Sequence, residues 1–317
     1  MLKVSVCMIT YNHEKYIRDA MEGVLMQKTN FDFELVVAND CSPDNTDNII
    51  TQILNNHPKV DRIKYFRHKK NMGPMPNFIF ALNQCTGKYI VLCEGDDYWT
   101  DPYKLQKQVE FLEANEDYTV CFHLVENFYQ NNEKPSCIFP PQKLQKREYS
   151  IYDLVKENFI NTCSVMYRWQ FYDKSLPGWF SEHLIGDYPL HFLHATRGKI
   201  GMIPEVMARY RIHEGGIWSS IKEKFVVKRM RDIISMYNDF NAYTDGKYRK
   251  DINERIYCYE RNLVHRYIND NLFSKAIELF IMRKERISLK DQFRFYFHYY
   301  FPNLYSFLRN IKNVIIN

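Results

Sequence analysis

A chain of 317 residues that is 45% apolar can bury one large core, or one core plus a smaller helical appendage, and is too hydrophobic for a disordered protein. Its 43 basic and 38 acidic side chains leave a formal charge of +5, too small and too dispersed to argue for a nucleic-acid partner. The 8 cysteines have no C-x-x-C or C-x-x-H spacing and several lie in apolar runs, which argues against a zinc site or disulfide frame and for reduced cytoplasmic thiols.

MLKVSVCMITYN reads as a strand rather than a leader, and no window approaches the roughly 18 apolar residues of a membrane span. Val4 to Ile9 is the first expected strand. His13 to Met26 reads as helix on the spacing of Ile17, Ala20, Met21, Val24 and Leu25, and Phe33 to Ala38 as a second strand. After the turn-rich CSPDNT come helix at Asp47 to Asn55, strand at Ile63 to Phe66, helix at Pro76 to Gln84 and strand at Tyr89 to Cys93. Leu105 to Asn115 reads as helix and Thr119 to Val125 as strand. This alternation predicts an α/β protein with right-handed crossovers and a mostly parallel central sheet, helices on both faces.

Residues 126–148, polar and proline-bearing, read as a loop, Ile151 to Asn158 as a short helix and Cys163 to Tyr167 as a strand. From 221 onward the signal is helical, ending in the aromatic and basic tract DQFRFYFHYYFPNLYSFLRNIKNVIIN. The expected organisation is a domain over 1–220, divided at 125/126, and a helical region over 221–317.

Such sheets bind ligands at the carboxyl ends of their strands. Three polar clusters fall there: Thr10-Tyr11-Asn12, Asn39-Asp40, and Glu94 to Asp97. Each alone is explained by a helix cap or a turn; together they predict one crevice. VLCEGDDYW sets Glu94, Asp96 and Asp97 behind an apolar strand, where they repel one another unless a cation joins them. Hard carboxylate oxygens suit Mg2+ or Mn2+, and an ion so held keeps positions for the oxygens of a nucleotide diphosphate. Capping of the helix after Pro102 is the competing explanation.

SVCMITYNHEKYIRDAMEGVLMQ, ELVVANDCSPDNT, KNMGPMPNFIFALNQCTGKYIVLCEGDDYW and DPYKLQKQ, in that order, resemble the nucleotide-sugar half of family 2 glycosyltransferases of the GT-A fold, over residues 2–125. The resemblance implies a Rossmann-like GT-A domain acting as an inverting, metal-dependent glycosyltransferase. Thr10 and Tyr11, with Asn12 beside them, would line the nucleotide pocket, and Asp40 would hydrogen-bond the base, usually uracil. Asn71, Gly73 and Asn77 match the segment that closes over the nucleotide. Glu94, Asp96 and Asp97 fall on the D-x-D-D signature, Asp96 near ribose or metal and Asp97 on the metal; Glu94 departs from the usual Asp.

HLIGDYPLHFLHATRGKIGMIPEVMARYRIH resembles the acceptor-side pattern, in which an acid opens a helix and a strand pair returns towards the metal. Asp187 occupies the acid position, while the preceding position, often Glu in relatives, is Gly186. Asp187 is therefore the expected general base; its alternative role is N-cap of a helix Tyr188 to Thr196. In RYRIHEGGIWS, His213 would complete the metal shell or touch the diphosphate, or serve only structurally. Arg209 and Arg211 would neutralise phosphate oxygens, and Gly215 and Gly216 would let a loop move. Thr162 and Ser164 are candidates to face the acceptor, a half-buried strand explaining them equally well, and Trp179 and Trp218 to stack on sugar rings or fill core.

The expected partners are a nucleotide-sugar donor, a UDP-sugar first, and a saccharide or lipid-linked acceptor, with surface polysaccharide synthesis the family-level expectation. The C-terminal tract suits an interfacial helix at the inner face of a membrane; packing on the first domain or on a second subunit explains it equally. A non-catalytic carbohydrate-binding scaffold is the alternative from another class. A sugar nucleotidyltransferase would need a glycine-rich loop after the first strand, and ITYNHEKY has none; a dehydrogenase fails on G-x-G-x-x-G.

Overall fold

Strands buried on both faces read as near-continuous apolar runs, and three such runs lie side by side in the sheet: β1 (Val4–Thr10), β2 (Phe33–Asn39) and β4 (Tyr89–Leu92). The computed structural model describes residues 2–282 apart from 132, 172, 174, 217–222 and 270–271. The chain divides into two compact units, Met1–Lys222 and Glu223–Asn317.

In the first unit the other strands are β3 (Ile63–Arg67), β5 (Tyr98–Trp99), β6 (Tyr118–Tyr129), β7 (Cys137–Phe139), β8 (Glu148–Tyr149), β9 (Met166–Arg168) and β10 (Lys199–Ile212). The main path runs β3-β2-β1-β4-β9-β6-β10-β5, with β7 beside β6 and β8 beside β10. The four parallel ladders are the long ones; the antiparallel ladders made by β5, β7, β8 and β9 each span two or three residues. The predicted α/β class and the parallel first half are therefore what the chain adopts. β1 lies between β2 and β4, so strand order reverses there and opens a crevice at the carboxyl ends.

The helices are α1 (Ile17–Leu25), α2 (Thr46–Asn56), α3 (Pro74–Gln84), α4 (Lys104–Ala114), α5 (Ile151–Lys156) and α6 (Asp187–Ala195). α1 buries Ile17, Ala20, Met21, Val24 and Leu25, the stripe its spacing predicts. It lies directly on β5: a Cβ on Gly23 would come within 2.8 Å of the Trp99 backbone nitrogen, so only glycine admits this approach. The acid-rich turn between β4 and β5 is thus clamped from above.

Three expectations change. The strand expected over Cys163 to Tyr167 is a 3-10 turn, Thr162–Ser164, followed by β9, because Ser164 bonds back to Asn161 O through both its N–H and its hydroxyl. Residues 126–129 continue β6 instead of opening a loop, because β10 supplies partners from far along the chain, Arg209 opposite Glu126 through Ile212 opposite Tyr129; β7 and β8 also fall within 126–148. The expected returning strand pair is a single 14-residue strand, β10, with register shifts between Ile203 and Val206 and between Val206 and Ala208.

The second unit is helical through its described residues, with α7 (Glu223–Tyr243), α8 (Arg249–Asn269) and α9 (Phe273–Met282). Leu263, Val264, Tyr267 and Ala276 centre one of its clusters, joined by Val227, Met230, Ile234 and Leu279. No helix among the described residues is long and apolar enough to cross a membrane. The aromatic and basic tract expected at the interface lies outside them, as does Trp218.

α4 carries an unusual core residue. Lys104 is fully buried, its Nζ 2.7 Å from Oε1 of Gln108 and 4.0 Å from the centroid of Trp99. Burial drives its ammonium down to about 7 from an ordinary 10.5. Between those values the unfolded chain binds a proton that the folded chain does not, so stability should rise with pH across that window. The gap in unfolding free energy between wild type and Lys104→Met should accordingly change by about 1.4 kcal/mol per pH unit there, the wild type gaining as pH rises. Denaturant melts at pH 7, 8 and 9 check the slope.

Candidate active site

The acids after β4 are held by elements from three parts of the chain. Backbone bonds Gly95 N to Ile9 O (3.0 Å) and Cys93 N to Cys7 O (3.1 Å) press the turn onto β1, and Asp40 N to Thr10 O (3.0 Å) brings the end of β2 alongside. Gly95 has no room for a side chain: a Cβ would stand 2.7 Å from Thr10 Oγ1, 2.8 Å from Thr10 Cβ and 2.9 Å from His13 Nδ1. The three clusters foreseen at separate strand ends thus meet at one crevice.

One oxygen each of Glu94, Asp96 and Asp97 lie within 4.8 Å of one another. Burial, then the charges of Asp96, Asp187 and Asp97, pushes Glu94 well above the ordinary carboxylate range. Asp97 is pushed up by burial and by Asp96. Burial works the same way on Asp96, but His13 and then His213 outweigh it and hold that carboxyl below its ordinary value. His213 Nε2 is 3.1 Å and His13 Nε2 3.7 Å from Asp96 Oδ2.

Asp97 is 1% exposed, and its Oδ1 accepts the Arg211 backbone N–H at 2.8 Å. Its Oδ2 is buried with no hydrogen-bond partner beyond the weak donor thiol of Cys163 beside the carboxylate. An orphaned carboxylate oxygen among crowded acids is the donor set a hard divalent cation completes. Capping does not account for the cluster, because α4 starts at Lys104 and the acid that bonds the chain just ahead of it is Asp101, whose Oδ1 accepts the Tyr103 N–H at 2.7 Å.

At the end of β1 Thr10 is buried and within 3.2 Å of His13 Nδ1, while Tyr11 stays 44% exposed. Asn12 adopts φ 60°, the left-handed region asparagine tolerates, and its N–H donates to Ser42 Oγ at 3.0 Å. Asp40 receives the Met72 and Gly73 N–H groups at 2.7 and 2.9 Å, and Asn71 Oδ1 also accepts from Gly73 N at 3.1 Å. Gly73 has φ 92° and precedes α3, so Asp40 and Asn71 hold the strap where it turns into the helix. Asn77 is buried, bonding Ala38 O (3.0 Å) and His68 Nε2 (2.9 Å), and so pins α3 to β2.

Arg211 is 7% exposed and fully engaged: Nε with Asp96 O (2.9 Å), Nη1 with Gln130 (2.7 Å), Nη2 with Asp19 (3.1 Å), its plane against Tyr16, Tyr98 and Phe128. Arg209 pairs with Glu126 at 2.7 Å and Tyr98 at 3.2 Å and is partly exposed. The Arg211 guanidinium thus braces the cluster, whereas that of Arg209 is taken up by Glu126 and Tyr98.

Asp187 is the first residue of α6, after Gly186. Its Oδ1 accepts the Tyr188 N–H at 2.7 Å and its Oδ2 the Thr162 hydroxyl at 2.5 Å. Ser164 is fully buried and its hydroxyl binds Asn161 O at 2.7 Å. Trp179 packs against Phe180 and His183. Gly186 is explained sterically: a Cβ would lie 2.5 Å from Phe78 Cδ1 and 3.2 Å from Met75 Sδ.

Two participants escaped the sequence reading. His13 stands one position beyond the polar cluster that follows β1, and Tyr210 lies between the two arginines. Burial and then the charges of Asp97, Glu94 and Asp96 hold the Tyr210 phenol well above its ordinary value.

Residues 5–174 match the family described as Glycosyl transferase family 2. An uncharacterized protein of Mycobacterium tuberculosis (strain H37Rv) is 42% identical over 217 residues, 68% of this chain and 61% of that one, so this chain spans less than two thirds of that relative. Among solved structures, residues 1–349 of S. aureus TarS in complex with UDP-GlcNAc align with TM-score 0.58 at 20% identity, covering 92% of this chain and 78% of that one. The mannosyltransferase PcManGT of Pyrobaculum calidifontis, in complex with GDP-Man and Mn2+, aligns with TM-score 0.61 at 15% identity, covering 99% and 85%. At these identities the structural likeness is one of fold.

Gly95→Ala should leave the protein folded but push the acid turn off Thr10 and His13. In a thermal-shift titration Mn2+ should raise the melting temperature of wild type and not of this variant.

Proposed function

The chain belongs to glycosyl transferase family 2, and from that premise we propose that it moves a sugar from a nucleotide-diphosphate sugar to a hydroxyl of a saccharide or lipid-linked acceptor, with inversion at the anomeric carbon. The observation that carries the reading is that Thr162 gives its hydroxyl to Asp187 Oδ2 at 2.5 Å while the neighbouring Cys163 thiol lies against Asp97, so one turn joins Asp187 to the cluster of Glu94, Asp96 and Asp97. Asp187 would then serve the acceptor, and the three clustered acids the donor. The structural neighbours with UDP-GlcNAc and with GDP-Man and Mn2+ support the donor class.

In this reading the acceptor oxygen bonds to the anomeric carbon as the bond from that carbon to the diphosphate oxygen breaks. Asp187 takes the hydroxyl proton and the nucleoside diphosphate leaves; sugar hydroxyls are poor nucleophiles near neutral pH, so the base matters as charge develops. Glu94, Asp96 and Asp97, with His213 alongside, would hold a divalent cation, which when bound supplies positive charge against the diphosphate. The exposed ring of Tyr11 stacks on the base. Asp40, with lone pairs remaining beyond those given to Met72 and Gly73, accepts from a uracil N–H, which makes a UDP-sugar the first donor to test.

Given nucleotide sugars and Mn2+, the protein should release nucleoside diphosphate slowly, faster with acceptor, and not after chelation. Asp97→Asn should weaken metal-dependent donor binding. Asp187→Asn should bind donor as wild type and turn over at least about a hundredfold more slowly. Donor binding without turnover in the presence of acceptors, or equal loss of donor affinity in the two variants, overturns the assignment.

A further inference from the structure

The turn Asn161–Ser164 touches both groups of acids. Thr162 gives its hydroxyl to Asp187 Oδ2 at 2.5 Å, and the thiol of Cys163 lies against Asp97. The turn is itself fixed from the signature and from the core. Trp99 Nε1 binds Cys163 O at 3.0 Å, Gln108 Nε2 binds Ser164 O at 2.9 Å, and Asn161 Nδ2 binds Asn127 at 2.7 Å. Thr162 is 8% exposed, so water competes little for its hydroxyl. With Oδ1 taken by the Tyr188 N–H, the Asp187 carboxylate has a donor on each oxygen and its plane is set.

We propose that Thr162 is a positioning residue for the transfer: its hydroxyl fixes the Asp187 carboxylate against the acceptor, and its turn ties that carboxylate to the Asp97 end of the site. This rests on the reading of Asp187 as general base. Thr162 spends its donor on Asp187 and touches no reacting atom. A base held within a narrow range of angles transfers a proton efficiently; one free to rotate spends most of its time misaimed.

The test is steady-state transfer by the whole chain with Mn2+ and a UDP-sugar, or whichever donor the screen above selects. Thr162→Val should lower kcat by roughly ten- to a hundredfold, the scale of a lost hydrogen bond to a charged group, with donor KM unchanged. Thr162→Ala, which removes the hydroxyl without adding bulk, should do the same, and Thr162→Ser should restore most of the rate. Because Thr162 acts through Asp187, adding Thr162→Val to Asp187→Asn should cost nothing further. A wild-type kcat in folded Thr162→Val or Thr162→Ala overturns the proposal, as does a further loss in the double variant while Asp187→Asn alone is slow. A wild-type rate in Asp187→Asn itself would instead remove the base assignment.

Discussion

Mutual repulsion among Glu94, Asp96 and Asp97 is the constraint around which the first unit is arranged. Like charges within 4.8 Å and withdrawn from water cannot all ionise unaided. Relief comes from residues remote in sequence: His13 and His213 on Asp96, the Arg211 backbone on Asp97, and the Arg211 guanidinium on the Asp96 carbonyl. Arg211 is immobilised in turn by Asp19, Gln130 and three aromatic faces. This leaves Asp97 Oδ2 buried with only the weak donor thiol of Cys163 beside it, a place where added positive charge stabilises.

The parallel half of the fold was legible because its strands are buried on both faces, so burial is written locally as apolar runs separated by helical spacing. The acid cluster was legible for the opposite reason, three carboxylates being anomalous directly behind a core strand. What stayed hidden depends on partners distant along the chain. ENFY is too polar to read as strand until β10 lies beside it, with Arg209 neutralising Glu126. Arg209 and Arg211 carry charge that the sequence alone directs at phosphate; their counter-groups Glu126, Asp19 and Gln130 lie far away in the chain. His13 was overlooked because its function exists only through Asp96. Thr162 read equally as strand or as acceptor contact, and only the folded chain puts Asp187 in front of it.

The floor beneath the site is polar where a simpler core would be apolar. Gln108 accepts from Lys104 and donates to Cys121 O and Ser164 O, linking α4 to β6 and to the turn under the acids. Trp99 packs on the same ammonium and bonds Cys163 O. A buried network of this kind costs desolvation but dictates a single arrangement when its members are satisfied, and accurate placement of carboxylates is what such a site needs from its scaffold.

The tight fit at Gly186 constrains how this sequence can change over time. Phe78 and Met75 fill the volume that a side chain at 186 would occupy, and their helix begins beside the strap that Asp40 grips. Introducing a second acid next to Asp187 therefore requires a smaller residue at 78 first, while shrinking Phe78 alone opens a void. Each step is harmful without the other, so descendants of this chain are confined to a one-acid version of the site unless both positions change together.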